Sequence, residues 1–432
     1  RPLDVAVPLA VAPDARAALA DLAAEFFDHP TEKLRVVGVT GTDGKTTTTH
    51  LISQVLDAAG EITGYATTVD FKVAGHVWDN ATRQTTQEAV EIQELCAELL
   101  VAGCTWAVLE ATSHALALQK LRGAAPDIAV FTNLSPEHLD FHGTLQAYLE
   151  AKGLLFEALA DGPDKGVAKA AVLNADDPHW RFLADRVAGA RVITYGIDAL
   201  ADVQATIVSA DAAGSRLRVS AFGERADLVL PLVGRFNMHN ALAAAAAGIA
   251  AGVTLQEARD ALARAVPVRG RMERVEAGQP FSVIVDYAHT PESLDKVLAL
   301  LRPLTRGRLI AVFGSAGERD RTKRPLLAKA AARHADFFVI TQEDPRLEDP
   351  ERILAEIEAG AREAGKSRGN DYVVLPDRTA AVAEAIGRAA AGDTVVLAGK
   401  GHERSIIVGE ESIPYDEAAA ARAALRALGF GA

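Results

Sequence analysis

The sequence predicts an α/β protein with two main domains, and three observations support this fold class. The chain has 432 residues, which is more than one ordinary domain contains. Apolar runs of strand length alternate with segments of helical periodicity from residue 34 onward, and again from residue 282. Short alternating strands interrupt this rhythm at 201–233. We therefore expect mostly parallel sheets with helices on both faces, plus a small antiparallel appendage on the first sheet.

The central domain is predicted to span residues 34–267, after a linker and helix remnant at 1–33 with a helix at 14–27. Turn signals at Ala213-Gly214 and Gly223-Glu224 divide the antiparallel appendage. Helices at 237–251 and 255–265 are expected to close the domain. The other strands of its sheet are predicted at 34–40, 106–110, 127–133, 166–174 and 191–195.

The second domain is predicted to span residues 268–432 and to be doubly wound and Rossmann-like, with 267–271 as the boundary and hinge. No glycine fingerprint follows its first strand, so the domain need not bind a dinucleotide. Its strands are expected at 282–286, 308–313, 336–341, 372–375 and 394–398. Its helices are expected at 291–301, 322–334, 350–364, 378–390 and 416–428.

Composition excludes several classes of protein. With 49% hydrophobic and 24% charged residues the chain is globular, and its net charge of −13 argues against nucleic acid as a general partner. Cys96 and Cys104 lie in one predicted helical stretch, so a disulfide scaffold is excluded. No signal peptide or apolar segment of membrane-spanning length is evident. We expect a cytoplasmic monomer.

A glycine-rich loop follows the first predicted strand, in the run Val36-Val-Gly-Val-Thr-Gly-Thr-Asp-Gly-Lys-Thr-Thr47. A buried strand, a tight loop and a helix that begins at Lys45 form a cradle whose backbone N–H groups bind phosphate. Lys45 adds a positive charge, and the Thr46 hydroxyl is a candidate Mg²⁺ ligand. Only two residues separate Gly41 from Gly44, fewer than in the usual phosphate loop. The segment predicts a nucleotide site.

Polar residues follow two further strands of the central domain. Glu110 ends one strand and could bind Mg²⁺, although alone it is equally well interpreted as a helix cap. The loop after the next strand is dense in metal-ligating groups, among them His138, and Lys152 follows in a helix. In the segment 234–240, an asparagine cap and a buried Phe236 are the simpler interpretation.

Four polar loops follow strands of the second domain: 286–291, 314–321, 343–346 and 399–403. The carboxyl ends of parallel strands share one edge of a sheet, so these loops are predicted to form one binding face.

Together these segments resemble the Mur ligase family, and the resemblance covers nearly the whole chain from about residue 13. Thr40–Thr47 is similar to T-G-T-N-G-K-T-T, and 110–116 to E-V-S-S-H-A-L. The segment 131–143 is similar to F-T-N-L-x-x-D-H-L-D-x-H-G, and the loops at 286 and 399 to D-Y-A-H-T-P and G-K-G-H-E. Within the family, the chain resembles the members that add the third peptide residue of peptidoglycan.

The resemblance implies roles for individual residues. An ATP site would be formed by Gly41, Thr42, Asp43, Gly44, Lys45, Thr46, Thr47, Asn240, Arg271, Asp286 and His289. Mg²⁺ would be bound by Thr46, Glu110, His138 and Lys152, the last as a carbamate. The catalytic set would be Lys45, Glu110, His138 and Lys152. A UDP-muramoyl-dipeptide would contact Thr85, Thr86, Ser113 and Lys120. The incoming amino acid would contact Arg319, Asp344, Arg346, Gly399 and Glu403.

The implied reaction is ATP-driven amide formation, in which the acceptor carboxylate becomes an acyl phosphate and an amine then displaces phosphate. Arg346 suits the distal carboxylate of meso-diaminopimelate, whereas Asp344, where the family has Asn, would attract an amino group. Diaminopimelate is therefore favoured, and lysine or ornithine stays open. Asp43 replaces the loop's Asn, Glu137 replaces an Asp, and Lys120 stands where Arg is expected.

The uridine-binding domain that precedes the phosphate loop in the family is mostly missing from this sequence. If the natural protein also lacks that domain, the acceptor need not be UDP-linked. Two alternatives remain open. One is a ligase that resembles folylpolyglutamate synthase, or another Mur-type ligase with a non-UDP acceptor. The other is a catalytically silent nucleotide-binding homologue.

Overall fold

The computed structural model describes residues 11–82, 84–211 and 214–431. It contains two compact units, and the division falls between Ala265 and Val266. The parallel and antiparallel strands confirm the predicted fold class. The predicted turn at Ala213-Gly214 begins outside the described residues.

The first unit contains a single large sheet. Its strands are β1 (Arg35–Thr40), β2 (Thr63–Ala66), β3 (Asp70–Val73), β4 (His76–Asp79), β5 (Trp106–Glu110), β6 (Ile128–Phe131), β7 (Ala170–Asn174), β8 (Arg191–Gly196), β9 (Val203–Asp211), β10 (Gly214–Ala221) and β11 (Glu224–Leu230). Their spatial order is β11-β10-β9-β8-β7-β6-β1-β5-β2-β3-β4. Strands β9-β8-β7-β6-β1-β5-β2 are parallel, and antiparallel pairs β10–β11 and β3–β4 lie at the two edges.

The antiparallel appendage is thus part of the main sheet, because β9 pairs parallel to β8. A turn at Phe222 and Gly223, both with positive φ, joins β10 to β11 as predicted. No local pattern in the sequence predicts β2, β3 and β4. These strands have only four residues each, and β4 is exposed throughout, so no alternation of apolar and polar residues marks it.

Helices cover both faces of this sheet: α1 (Ala15–Phe26), α2 (Pro30–Lys33), α3 (Lys45–Ala58), α4 (Ala89–Val101), α5 (Ser113–Ala117), α6 (Leu139–His142), α7 (Leu145–Glu157), α8 (Trp180–Ala184), α9 (Arg235–Ala250) and α10 (Leu255–Leu262), with a 3₁₀ turn at Ala158–Ala160. Helices α3, α9 and α10 pack on one face, against Val37, Val39 and Val130. Helices α4 and α7 pack on the other. Cys104 lies beyond the end of α4, contrary to the prediction of a shared helix with Cys96, and both thiols are free and buried.

The second unit is a doubly wound domain. Its strands are β12 (Glu273–Arg274), β13 (Ser282–Asp286), β14 (Leu309–Phe313), β15 (Phe337–Ile340), β16 (Tyr372–Val374), β17 (Thr394–Ala398) and the separate hairpin β18 (Ser405–Val408) and β19 (Glu411–Pro414). The six-stranded sheet has the order β12-β13-β17-β14-β15-β16, and only β12 runs antiparallel.

The helices of the second unit are α11 (Pro291–Leu301), α12 (Lys323–His334), α13 (Pro350–Glu363), α14 (Arg378–Gly387) and α15 (Glu417–Ala427), with a 3₁₀ turn at Arg302–Leu304. Helices α14 and α15 contact one face of the sheet, and α11, α12 and α13 contact the other. The four predicted loops leave the carboxyl ends of the neighbouring strands β13, β17, β14 and β15. No helix in the described ranges is long and apolar enough to cross a bilayer.

Candidate active site

The phosphate loop lies between β1 and α3, and two glycines make its conformation accessible. Gly41 has φ +148° and Gly44 has φ +85°, which L-residues rarely adopt. A Cβ on Gly41 would lie 1.8 Å from Thr132 Oγ1, and a Cβ on Gly44 would lie 2.4 Å from Asn240 Oδ1. The side chains of Thr132 and Asn240 therefore lie directly against the loop backbone. Helix α3 begins at Lys45, and its first N–H groups are directed at the loop.

The phosphate loop is tied to the segment after β6. Thr42 N donates to the Asn133 carbonyl at 2.9 Å, and Asp43 N donates to Asn133 Oδ1 at 3.0 Å. Thr132 Oγ1 donates to the Asp43 carbonyl at 2.6 Å. Thr42 Oγ1 lies 3.2 Å from Tyr148 OH on α7. These contacts fix the loop before any ligand binds, which lowers the entropic cost of binding phosphate.

Two lysines meet at this loop. Lys45 Nζ donates to the carbonyl oxygens of Gly41 and Thr42, at 3.0 and 2.8 Å. Lys152 Nζ, on α7, donates to the same Gly41 oxygen at 2.8 Å and lies 4.2 Å from the centre of the Tyr148 ring. Lys152 is 1% exposed. Burial, followed by the charge of Lys45, lowers the pKa of Lys152 well below its ordinary value.

Glu110 is a buried carboxylate at the end of β5. Its Oε1 accepts from Thr68 N at 2.9 Å, and its Oε2 lies 3.2 Å from Thr68 Oγ1. The helix-cap interpretation is wrong for this residue, because Thr112 caps the following helix instead. Both carboxylate oxygens keep lone pairs that these bonds do not use.

Histidines and aromatic rings form a cluster near α6. The His114 ring lies 4.6 Å from that of His138 and 4.2 Å from that of Phe141. Burial and the charge of His138 lower the pKa of His114. His138 caps α6 with φ +56°, and its side chain is 46% exposed. In the described part of the chain no three His, Cys, Asp or Glu side chains converge closely enough to hold a metal ion by themselves.

Asn240 lies beside the phosphate loop, on α9. Its Oδ1 accepts from Thr48 Oγ1 at 3.3 Å, and its Nδ2 donates to Asn237 Oδ1 at 3.1 Å. Asn237 Nδ2 in turn donates to the Val233 carbonyl, so both amides are held in the first turns of α9. Gly234 occupies the cap position of α9 without a side-chain cap bond, and Phe236 is 41% exposed, so the interpretation as an asparagine cap with a buried Phe236 is wrong.

The residues expected to contact the acceptor lie around the end of β5. Thr86 Oγ1 donates to the Glu110 carbonyl at 2.8 Å, and Thr85 Oγ1 accepts from Thr68 Oγ1 at 3.1 Å. Ser113 Oγ lies 3.0 Å from His142 Nε2. Lys120, which replaces the family's Arg, forms an ion pair with Glu88 at 2.6 Å.

In the second unit, Asp286 ends β13 and is hydrogen-bonded to the backbone on both oxygens, to Met272 N at 2.8 Å and Ala288 N at 2.9 Å. Burial raises the pKa of Asp286 against the opposing effect of Arg271. The Arg271 guanidinium lies 4.8 Å from the centre of the Tyr287 ring, and the rings of His289 and His402 lie 4.6 and 4.8 Å from the same ring. Arg271, Asp286 and His289 are thus brought together, and their contact with a nucleotide stays a prediction.

The loops after β15 and β17 meet. Lys400 Nζ donates to Asp344 Oδ1 at 2.8 Å and to Glu403 Oε2 at 2.5 Å. A Cβ on Gly399, which has φ +107°, would lie 2.9 Å from Glu343 Oε2. Asp344, Gly399 and Glu403 therefore lie together. Arg346 occupies the same loop as Asp344, whereas Arg319 is exposed on the loop after β14.

Sequence reasoning missed Lys400 and Arg378. Arg378 is buried and donates to Glu417, and to the carbonyls of Gln342 and Ala398, so it joins the ends of β15 and β17. The signal for Lys400 was present, since it lies inside the predicted loop 399–403. Arg378 carried no signal, because it is the first residue of an ordinary amphipathic helix.

Comparison with known proteins identifies the family of both units. The profile described as Mur ligase middle domain matches residues 39–248, and the one described as Mur ligase, glutamate ligase domain matches residues 270–401. A UDP-N-acetylmuramyl-tripeptide synthetase of Roseiflexus sp. is 52% identical over 99% of this chain and 85% of its own length. The chain belongs to the Mur ligase family.

Other Mur ligases agree. A UDP-N-acetylmuramoyl-L-alanyl-D-glutamate–2,6-diaminopimelate ligase of Geobacillus thermodenitrificans is 44% identical over 99% of this chain and 86% of its own length. A solved structure of a ligase of the same description is 33% identical, with a TM-score of 0.71 over 99% of this chain and 86% of that one. A folylpolyglutamate synthase of Mycobacterium tuberculosis, with a TM-score of 0.67 over 89% of this chain and 92% of its own, is only 18% identical and shares the fold.

Proposed function

We propose that this Mur ligase joins meso-diaminopimelate to UDP-N-acetylmuramoyl-L-alanyl-D-glutamate, with ATP as the energy source. The observation that carries the proposal is the meeting of Lys45 and Lys152 at the Gly41 carbonyl. A phosphate loop alone would fit many nucleotide-binding proteins. A second, buried lysine with a lowered pKa supplies chemistry that simple phosphate binding does not need.

The phosphate loop binds the triphosphate through the first N–H groups of α3 and the Lys45 ammonium. In the free protein, Lys45 donates to two loop carbonyls, and the phosphate oxygens replace these acceptors. Because the oxygens carry more negative charge in the transition state, Lys45 stabilises that state more than the ground state. The Arg271–Tyr287–His289 group and Asp286 supply the nucleoside contacts proposed for the second unit.

The donor set fits Mg²⁺. Thr46, Glu110 and a carbamylated Lys152 offer oxygen atoms, which Mg²⁺ prefers, and His138 adds an imidazole. The described residues contain no cluster of three acidic or imidazole ligands, which agrees with an ion held by few protein groups together with phosphates. When bound, Mg²⁺ neutralises charge on the transferring phosphoryl group.

Lys152 suits carbamylation. A carbamate forms when a neutral amine attacks CO₂ and loses a proton, and burial lowers the pKa of Lys152, which favours the neutral amine. The product is an anion, which can pair with the Lys45 ammonium. Tyr148, on the same helix and 4.2 Å from Lys152 Nζ, holds the side chain in place.

The reaction proceeds in two steps. An oxygen of the acceptor carboxylate attacks the γ-phosphorus, the bond to the β-phosphate oxygen breaks, and ADP leaves. The neutral amine of diaminopimelate then attacks the acyl carbon, phosphate leaves, and the nitrogen loses a proton to give the amide. Thr85, Thr86, Ser113 and Lys120 are proposed to orient the acceptor, and Arg319, Asp344, Arg346, Gly399 and Glu403 the amino acid.

Phosphate release measured with the muramoyl-dipeptide and each of three amino acids tests this function. We expect ADP and the tripeptide in equal amounts, with diaminopimelate used at least about tenfold better than lysine or ornithine. Hydrolysis of ATP without either substrate, or no product with any amino acid, would refute the proposal. A product only with a non-UDP acceptor would refute the acceptor assignment.

A further inference from the structure

Lys400 is completely buried at the carboxyl edge of the second sheet. Its ammonium contacts Asp344 Oδ1 and Glu403 Oε2, and we call these three side chains the Lys400 cluster. Moving an ammonium out of water is unfavourable unless carboxylates compensate its charge. The cluster holds one cation and two anions, and therefore keeps one net negative charge.

Asp344 is fixed by more than the lysine. Its Oδ1 also accepts from Ile407 N at 3.0 Å, on the hairpin strand β18. Its carbonyl accepts from Gly317 N at 2.8 Å, in the loop after β14. Asp344 is 3% exposed. Its carboxylate is therefore held by protein donors, and its charge is offset by Lys400.

Arg346 differs from Asp344 although only one residue separates them. Its backbone is held at φ +54° by the hairpin, since Arg346 N donates to the Ile407 carbonyl and Gly409 N donates to the Arg346 carbonyl. Its Nε is buried and has no hydrogen-bond partner among the described residues. A buried N–H of a cation without an acceptor is costly, so a ligand carboxylate is the group that completes it.

We propose that Lys400 is a positioning residue that sets amino-acid specificity, an inference that rests on the proposed ligase function. By offsetting the charge of Asp344, Lys400 weakens the attraction of an ammonium to the distal end of the substrate and the repulsion of a carboxylate there. Arg346 then selects a substrate with a distal carboxylate. Asp344 stands where the family has Asn. This replacement does not make lysine the preferred substrate, because Lys400 offsets the negative charge of Asp344.

Lys400→Met tests this inference. With Asp344 no longer neutralised, the ratio of kcat/KM for diaminopimelate to that for lysine is expected to fall at least about tenfold, through a higher KM for diaminopimelate. The KM for ATP should stay within about threefold, since Lys400 lies at the other substrate's loops. Lys400→Arg keeps the charge and should retain most of the ratio.

The matched control is Lys165→Met, which removes another buried lysine, paired with Asp127 at 2.7 Å in the first unit. This variant is expected to lose stability without a change in the ratio. The inference is overturned if the ratio of kcat/KM for diaminopimelate to that for lysine stays at the wild-type value in Lys400→Met. An equal fall of kcat/KM for both amino acids has the same consequence.

The double variant D344N/K400M decides the matter if the single variant does not fold. Without either charge, and with the family's Asn at 344, it should prefer diaminopimelate again. A double variant that prefers lysine contradicts the inference. If the wild-type enzyme makes no tripeptide at all, the proposed function fails; if it does and the variants do not shift specificity, only the role of Lys400 fails.

Discussion

Lys45 and Lys152 donate hydrogen bonds to a single acceptor, the carbonyl oxygen of Gly41. One carbonyl has two lone pairs, so it can serve both donors at once. Two ammonium groups at this separation would repel each other, and the lowered pKa of Lys152 relieves that repulsion. The two amines therefore lie in different environments, one buried and one at the helix start, and each can take a different role.

This arrangement predicts a pH dependence of stability. The pKa of Lys152 is lowered in the folded state, so between that pKa and the ordinary value of 10.5 the unfolded chain binds one more proton. Stability should therefore rise with pH in this window, by about 1.4 kcal/mol per pH unit. Urea unfolding of the wild type and Lys152→Met in CO₂-free buffer measures the difference. Parallel curves for the two proteins would show that the amine is not held neutral.

Replacement of Gly44 tests the closure of the phosphate loop. Gly44→Ala places a Cβ 2.4 Å from Asn240 Oδ1 and adds a left-handed backbone cost of about 1–2 kcal/mol. The KM for ATP should rise at least about tenfold as the loop shifts. In the double variant G44A/N240A the steric part of the stability loss should disappear while the backbone part remains. Equal melting temperatures for the single and double variants would contradict this contact.

Arg346 should decide how well the distal carboxylate is recognised. Arg346→Ala is expected to lower kcat/KM for diaminopimelate roughly 10–150-fold, which corresponds to a loss of about 1.5–3 kcal/mol of transition-state stabilisation. Arg346→Lys keeps the charge but not the two-pronged geometry, and should recover only part of the loss. Steady-state kinetics with diaminopimelate and lysine measure both effects. An equal loss with lysine would point to distortion of the loop rather than to lost recognition of the distal carboxylate.

A buried arginine should make the second unit sensitive to acid. Hydrogen bonds from Arg324 lower the pKa of Glu348 to about 2, and Arg321, with Arg324, lowers that of Glu356 to about 2. Because both values lie below the ordinary 4.5, the stability that these carboxylates contribute is present above pH 4.5 and is lost as pH falls toward 2. Circular dichroism during acid titration measures this loss.

The matched variant is Arg324→Met, which removes a fully buried cation and leaves Glu348 and Glu356 paired with the more exposed Arg321 and Arg352. It should destabilise the protein by about 3–5 kcal/mol at pH 7 and flatten the acid dependence. An acid transition that keeps its steepness in this variant would assign the effect to other carboxylates.

The sequence predicted best those elements that residues next to them in the chain determine, such as helices with a clear cap and turns that need glycine. Helix α11 was placed correctly at Pro291–Leu301, because Thr290 caps it and proline fits its first position. The phosphate loop was equally clear, since its glycines must adopt positive φ. The hairpin β18–β19 was missed because its strands are short and partly exposed. Helix α4 was extended too far, because Gly103, with φ +78°, follows its end at Val101.

The site was predicted in its members but not in its pairings. Glu110, Asp286 and the loops after the second sheet follow from strand ends, which the sequence marks well. The contact between Lys400 and Asp344 joins residues 56 positions apart, and no local pattern reports it. The expectation that Asp344 attracts an amino group of the substrate rested on the carboxylate alone. In the structure, the ammonium of Lys400 already contacts that carboxylate.

The hairpin that supports Arg346 does so mainly through main-chain atoms, from Ile407 and Gly409. Main-chain donors and acceptors are the same for almost every residue type. Mutations in this ribbon can therefore accumulate without harm to the arginine, whereas insertion or deletion of one residue would shift its register and misplace the guanidinium. Length, rather than identity, is the property that selection has to preserve there.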